Sequence, residues 1–228
     1  MAHPEGELAT ARACARRSVN MAVSSFANYP IKQIRDAGLA VGPIKHAMQM
    51  YTMKDRNLKL ELVKEAERNG CTAMLLTADS PVLGVRYKEW WNDFRTPAGL
   101  GYPIIGMESE RLQKAIEMGC DGIIVSNHGG RQLDGVPATV DALPECVEAA
   151  AGRIRVHFGG GIRSGTDIFK ALALGAEHVW VGRPAIWGLA TFYNEFKRCM
   201  QLTGCVSVKD ITKACVGVVR SDGPLARL

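Results

Sequence analysis

The chain has 228 residues, 47% hydrophobic and 22% charged, the profile of a folded globule with enough length for a sizeable core. Lys and Arg total 28 against 23 Asp and Glu; the net charge of +5 is spread along the chain and decides neither for nor against an anionic partner. The 24 glycines have no three-residue period and no apolar run approaches the ~18 residues that span a bilayer, which excludes collagen-like and membrane-spanning classes; no charged-then-apolar secretory signal is visible.

Short apolar runs alternate with helical segments. Strand-like Asn20–Ser25 precedes helical Ile31–Ala37. Ala47–Thr52 precedes Asn57–Asn69, where Leu58, Leu60, Leu62, Val63 and Ala66 form a rough helical stripe. Thr72–Ala78 follows, then an aromatic-rich stretch Tyr87–Phe94, the short apolar pair Ile104–Ile105 and helical Glu108–Met118. Gly122–Ser126 reads as a buried strand before the helix Thr139–Ala150. Ile154–Phe158 precedes the helix Thr166–Leu174, and His178–Val181 precedes helical Ile186–Leu202. Strands alternating with helices predict an α/β domain with a parallel sheet, and the apolar strands predict that both sheet faces are covered. A doubly wound sheet and a (β/α)8 barrel both satisfy this pattern. One domain, residues 1–228, is expected.

The seven cysteines (Cys14, Cys71, Cys120, Cys146, Cys199, Cys205, Cys215) are odd in number and lack a CxxC pair, so reduced thiols are expected rather than a disulfide framework or zinc ribbon. His3, His46, His128, His157 and His178 show no ligand spacing, and no metal is expected.

Ligands of alternating α/β folds sit at the carboxyl ends of strands, which directs attention to the residues after each one. Ser126-Asn127-His128-Gly129-Gly130-Arg131-Gln132-Leu133-Asp134 places a histidine and an arginine three apart on a glycine-bearing loop. An imidazole exchanges a proton near neutral pH, and a guanidinium grips a carboxylate or phosphate with two parallel bonds. Together they suit proton removal from a 2-hydroxy acid; a structural loop is the alternative. Gly159-Gly160-Gly161-Ile162-Arg163 opens a helix and reads as a phosphate cradle or a tight turn. Gly182-Arg183-Pro184 repeats the glycine–arginine pairing at the next strand end. Gln49 and Tyr51 lie on one face of their strand. Thr77, Asp79 and Arg86 follow another strand: Asp79 could orient His128 or start a turn, and Arg86 could be a second carboxylate clamp.

The segments SNHGGRQLD (126–134), GGGIRSGTD (159–167) and GRP (182–184), with HPEGELATAR (3–12), YTMKDR (51–56) and TADSPVLGVR (77–86) in the same order, resemble the FMN-dependent 2-hydroxy acid oxidase and dehydrogenase family. The resemblance implies a (β/α)8 TIM-type barrel holding FMN at its strand ends and oxidising a small 2-hydroxy acid to the 2-oxo acid. It implies His128 as base, Arg131 and Arg86 on the substrate carboxylate, Tyr51 against the substrate and Asp79 paired with the histidine. Ser24, Gln49, Thr77 and Ser126 match flavin-contacting positions; Gly160, Gly161, Arg163, Gly182 and Arg183 match the phosphate site. Oxygen or another acceptor would take the electrons. No nucleic acid or membrane span is implied, and a homo-oligomer is.

Against the family pattern, the N-terminal helices and first strand are absent, and only Tyr87–Tyr102 stands for a long loop. Pro103-Ile104-Ile105-Gly106-Met107 shortens the fifth strand and omits the lysine that the family sets against the flavin. Gly159 replaces an aspartate, and Phe26 a tryptophan. These departures set two alternatives beside the oxidase: a non-catalytic relative with weak or no FMN binding, and a phosphate-binding barrel lyase. The final Ala226-Arg227-Leu228 is similar to the Ser-Lys-Leu peroxisomal address and is expected to be readable because termini are commonly exposed; without it, a cytoplasmic location is expected. Peroxisomal members of the family release hydrogen peroxide, which agrees with that address.

Overall fold

The structure is a computed structural model that describes residues 3–51, 56–78, 118–132, 135–218 and 226–227. The chain divides into two compact units, residues 1–110 and 111–228. Aromatic-rich Tyr87–Phe94, the Ile104–Ile105 pair and all but the last residue of Glu108–Met118 lie outside the described residues.

The first unit runs α1 (Gly6–Arg16), β1 (Met21–Val23), α2 (Ile31–Leu39), β2 (His46–Tyr51), α3 (Arg56–Arg68), β3 (Ala73–Thr77). Its strands form one parallel sheet in the order β1-β2-β3, with Val23 opposite Met48 and Tyr51 opposite Thr77. Ile31, Ile34 and Gly38 recur at helical spacing and are the buried positions of α2. Ile31 and Ile34 pack with Val23, Met48, Leu62 and Ala66 into one apolar cluster, so the helices cover the Val23–Met48 face of the sheet.

The second unit runs β4 (Gly122–Val125), α4 (Thr139–Ala150), β5 (Arg155–Gly159), α5 (Gly165–Ala173), β6 (His178–Trp180), α6 (Arg183–Thr203). Two 3-10 turns, Val208–Asp210 and Lys213–Cys215, lead to an antiparallel pair of β7 (Gly217–Val218) and β8 (Ala226–Arg227). The parallel sheet has the order β4-β5-β6, with Val125 opposite Phe158 and His157 opposite His178. Val125, Leu143, Val156, Phe158, Ala171 and Phe192 form its core. Ser164 starts α5 with a reciprocal cap: the Asp167 N–H donates to its hydroxyl, and its own N–H donates to the Asp167 carboxylate. α6 begins three residues before the expected Ile186, because Pro184 pre-sets helical φ in a first turn that needs no N–H from it. It breaks at Gly188 (φ −161°, ψ 43°) and ends on left-handed Gly204. A Cβ on Gly165 would collide with the backbone nitrogen of Phe196, so α5 and α6 approach as only glycine permits.

The α/β class and parallel pairing are as expected. The described residues form two three-stranded parallel sheets, not one eight-stranded ring. The expectation that apolar strands are covered on both faces fails at the sheet edges: Met74 and Leu76 of β3 are 37% and 52% exposed and Ile124 of β4 36%. An edge strand has a neighbour on one side only, and a hydrophobic run cannot reveal which strand that is. The C-terminal Ala226 and Arg227, expected to be loose, are paired with Val218 and Gly217.

Three histidines are held below the ordinary imidazole range. Burial lowers His46, aided by the Arg35 charge, and its Nε2 is buried without a hydrogen-bond partner. Burial also lowers His157 and His178, which meet at 5.3 Å between ring centroids; His178 and Arg155 push His157 further down, and Glu177 opposes them. The Trp180 indole N–H donates to His157 Nδ1 at 3.2 Å, a bond that requires that nitrogen to be unprotonated. The unfolded chain therefore binds more protons than the folded one once pH falls below the unfolded value near 6.5. Stability is expected to be full above that pH and to drop as pH falls toward the folded-state values. Thermal unfolding across this range should show that slope, and a His157→Phe/His178→Phe double variant should show a shallower one; an equal slope in the variant would count against the pair.

Candidate active site

The carboxyl end of the first sheet carries a connected polar row. Ser25 lies just past β1, 1% exposed, and both its backbone N–H and its hydroxyl donate to Gln49 Oε1, at 3.0 and 3.1 Å. The Gln49 amide nitrogen in turn donates to Thr77 Oγ1 at 2.8 Å. One amide thus links the ends of β1, β2 and β3, with its oxygen and nitrogen assigned by their partners. Gln49 and Thr77 meet at this edge of the sheet. Ser24 stands apart from this row: it is exposed, and its hydroxyl accepts the Phe26 N–H at 3.0 Å. Tyr51 ends β2 with its ring edge-on to Phe26, 5.6 Å between centroids. Asp79 and Arg86 lie outside the described residues.

The second sheet carries the histidine loop. Ser126 follows β4, and its hydroxyl accepts the His128 N–H at 3.1 Å. Asn127 accepts the Gly130 N–H through both its carbonyl, at 3.0 Å, and its side-chain oxygen, at 3.1 Å. His128, Gly129 and Gly130 have φ of 58°, 68° and 70°. A left-handed turn costs glycines little but costs His128 roughly 1–2 kcal/mol, so the partly buried imidazole is held in a conformation its own backbone disfavours. Arg131 follows, also partly buried.

Arg183, from the end of β6, reaches back to this loop. Its Nη2 donates to the Gly129 carbonyl at 3.4 Å, and a Cβ on Gly129 would stand 2.8 Å from that nitrogen. Because β5 lies between β4 and β6, the guanidinium crosses the carboxyl end of the central strand. That end is Gly159-Gly160-Gly161. Gly160 (φ 131°) presses on Thr139, whose Oγ1 would be 2.6 Å from an added Cβ; Gly161 (φ 69°) and Gly182 face open space. Gly159, where the family has an aspartate, would set a Cβ 3.4 Å from Ile124 and 3.7 Å from Trp180.

The N–H groups that lead into α5 already have protein acceptors. The N–H groups of Arg163 and Ser164 donate to Asp167 at 3.1 and 3.0 Å, and that of Gly165 to Glu195 Oε2 at 2.8 Å. What stays open on this edge is the Gly161 and Gly182 surface, with the exposed arginines Arg163 and Arg183 beside it. Sequence reasoning missed Ser25 and Thr139. A hydroxyl directly after a buried strand signals the first; Thr139 was hidden in a helix start. No group of three or more metal-ligating side chains occurs among the described residues, and no helix there is long and apolar enough to cross a membrane.

Comparison with known proteins gives this arrangement a context. The FMN-dependent dehydrogenase family pattern matches residues 1–105 and 104–218, two blocks that meet at residues 104–105. Mouse 2-hydroxyacid oxidase 1 is 37% identical over 279 aligned residues, covering 95% of this chain and 75% of its own. Glycolate oxidase 1 of Oryza sativa subsp. indica is 38% identical over 274, covering 94% and 73%. A crystal structure of mandelate oxidase with benzoyl-formic acid superposes with a TM-score of 0.83 at 33% identity, over 92% of this chain and 72% of that one. The aligned stretches are longer than the whole of this chain, so the relatives carry internal residues that it lacks. Matched along nearly its whole length to these oxidases and in both blocks to the family pattern, the chain belongs to the FMN-dependent dehydrogenase family.

Proposed function

We propose that the protein oxidises a small 2-hydroxy acid to the corresponding 2-oxo acid with FMN, within the (β/α)8 architecture its sequence motifs imply. The observation that carries this reading is the loop after β4, where a strained turn holds His128 with Arg131 at a strand end. The residues present fit FMN. The open surfaces at Gly161 and Gly182, flanked by two exposed arginines, suit a phosphate, and the Ser25–Gln49–Thr77 row supplies the amide and hydroxyl groups a polar ring edge needs.

Gly160, Gly161, Arg163, Gly182 and Arg183 would hold the phosphate, and Ser24, Gln49, Thr77 and Ser126 the ring system. Bound FMN supplies the acceptor for the two electrons leaving the substrate carbon. Arg131 and Arg86 clamp the substrate carboxylate and fix which hydrogen is presented. Tyr51 contacts the substrate. The His128 imidazole takes the hydroxyl proton, and Asp79 stabilises the imidazolium that results. Oxygen or another acceptor removes the electrons.

The run Pro103–Met107 favours a second reading, a non-catalytic relative with weak or no FMN binding. A fixed positive charge where negative charge develops is worth about 10²–10³ in rate, and this run contains no lysine to provide it. The family match removes the ground for a lyase.

His128→Ala is expected to abolish 2-oxo acid formation at unchanged flavin content; a variant reducing flavin at the parental rate would reject the base. Arg163→Ala and Arg183→Ala are expected to weaken FMN binding without changing turnover per bound flavin. Titration showing parental affinity in both would reject the phosphate assignment.

Ala226-Arg227-Leu228 is proposed as a peroxisomal address. A two-residue antiparallel pairing is marginal in water, so β8 can detach for a receptor. In eukaryotic cells, a fluorescent fusion ahead of residue 1 should become diffuse when the tripeptide is deleted. Identical distributions of the intact and deleted fusions would show that it is no address.

A further inference from the structure

We propose that Cys205 and Cys215 form a reversible intramolecular disulfide when the protein meets a peroxide. Their sulfurs stand 4.0 Å apart, the only sulfur–sulfur approach at that distance among the described residues. Both thiols donate to one acceptor, the Asp210 carbonyl, at 3.8 and 3.7 Å, which holds both sulfurs beside the same oxygen.

The intervening loop is built to keep them there. Left-handed Gly204 ends α6 and turns the chain directly into Cys205. The Asp210 carboxylate accepts the N–H groups of Val206 and Ser207 at 3.0 and 2.6 Å. Ile211, 7% exposed, anchors the loop in a small core with Phe169 and Ala173, against which Cys199, Cys205 and Cys215 pack. A disulfide needs the 4.0 Å gap between the sulfurs closed to ~2.0 Å. The loop spans ten residues, so the two thiols meet far more often than either meets another molecule's.

Access sets the order of events. Cys205 lines an open groove of about 540 Å³ with Met200, Gly204 and Val206, and Cys215 does not line it. The Cys205 sulfur attacks one peroxide oxygen; the O–O bond breaks, and hydroxide leaves with the thiol proton as water, giving a sulfenic acid. The Cys215 sulfur then attacks that sulfur, the S–O bond breaks, and a second water carries off the remaining proton. Two thiols lose two electrons, and hydrogen peroxide gains them to become two waters. The step is independent of the proposed oxidase activity, since added peroxide suffices. The bond would tie the C-terminus of α6 to the turn that precedes β7.

The test treats the reduced full-length protein with near-stoichiometric hydrogen peroxide, then counts thiols after denaturation and maps the peptides. The expected result is loss of two of the seven thiols, an intact mass lower by two hydrogens, no covalent dimer, and full reversal by dithiothreitol. Trypsin cuts after Lys209 and Lys213 and separates the two cysteines, but leaves Cys199 on the Cys205 peptide. Cys199→Ser should therefore form the same cross-link, now unambiguously. Cys215→Ser should stop at a Cys205 sulfenic acid that dimedone traps. Pairing of Cys205 with any other cysteine, a disulfide between chains, or oxygen added without loss of paired thiols would overturn the proposal. Peptide mapping of the unsubstituted protein decides the matter even if a serine variant misfolds.

Discussion

Parallel pairing forces each chain return through a crossover helix, and in doing so it sets all three carboxyl ends of a sheet on one edge. That geometry lets residues far apart in sequence share one polar surface. Gln49 can join Ser25 and Thr77, which lie 24 and 28 residues away, only because β1, β2 and β3 run the same way. Arg183 can meet Gly129, 54 residues earlier, for the same reason in the second sheet. An antiparallel neighbour would have carried each partner to the opposite edge.

Much of this was legible because it depends on local signals. Apolar runs after helical stripes located six parallel strands, and the polar residues after them located the edge. Strand-face alternation puts Gln49 with Tyr51, but the Gln49–Thr77 bond depends on the register of β2 against β3. Ser24 was named through the family resemblance, which carries no information about its neighbour Ser25. Only the turn after Val23 decides which hydroxyl points inward. That the Gly165 N–H is taken by Glu195, 30 residues away on another helix, was not legible, since no spacing rule reaches that far. The exposed Met74, Leu76 and Ile124 show the same limit: strand order in a sheet is a tertiary fact, while hydrophobicity is a local one.

The second sheet concentrates unfavourable choices. His128 sits in a left-handed conformation, and Gly160 and Gly165 occupy places where a Cβ would strike a neighbour. Each lies beside a strand-end loop or the helix such a loop opens. Strain of this kind persists where surrounding packing over-determines it, and it marks positions whose placement matters more than their own stability. The His157–His178–Trp180 group lies on the same strands, and its shared burial ties the stability of this sheet to pH.

The proposed reaction requires strand ends that bind FMN and pass it electrons from a 2-hydroxy acid. The most direct measurement is the visible spectrum of the purified protein with FMN under anaerobic conditions, before and after a small 2-hydroxy acid such as glycolate or lactate is added. The proposed oxidation predicts protein-bound flavin whose absorbance bleaches with formation of the 2-oxo acid. A protein that leaves FMN free in solution, or whose bound flavin keeps its full absorbance with every hydroxy acid tried, would contradict it.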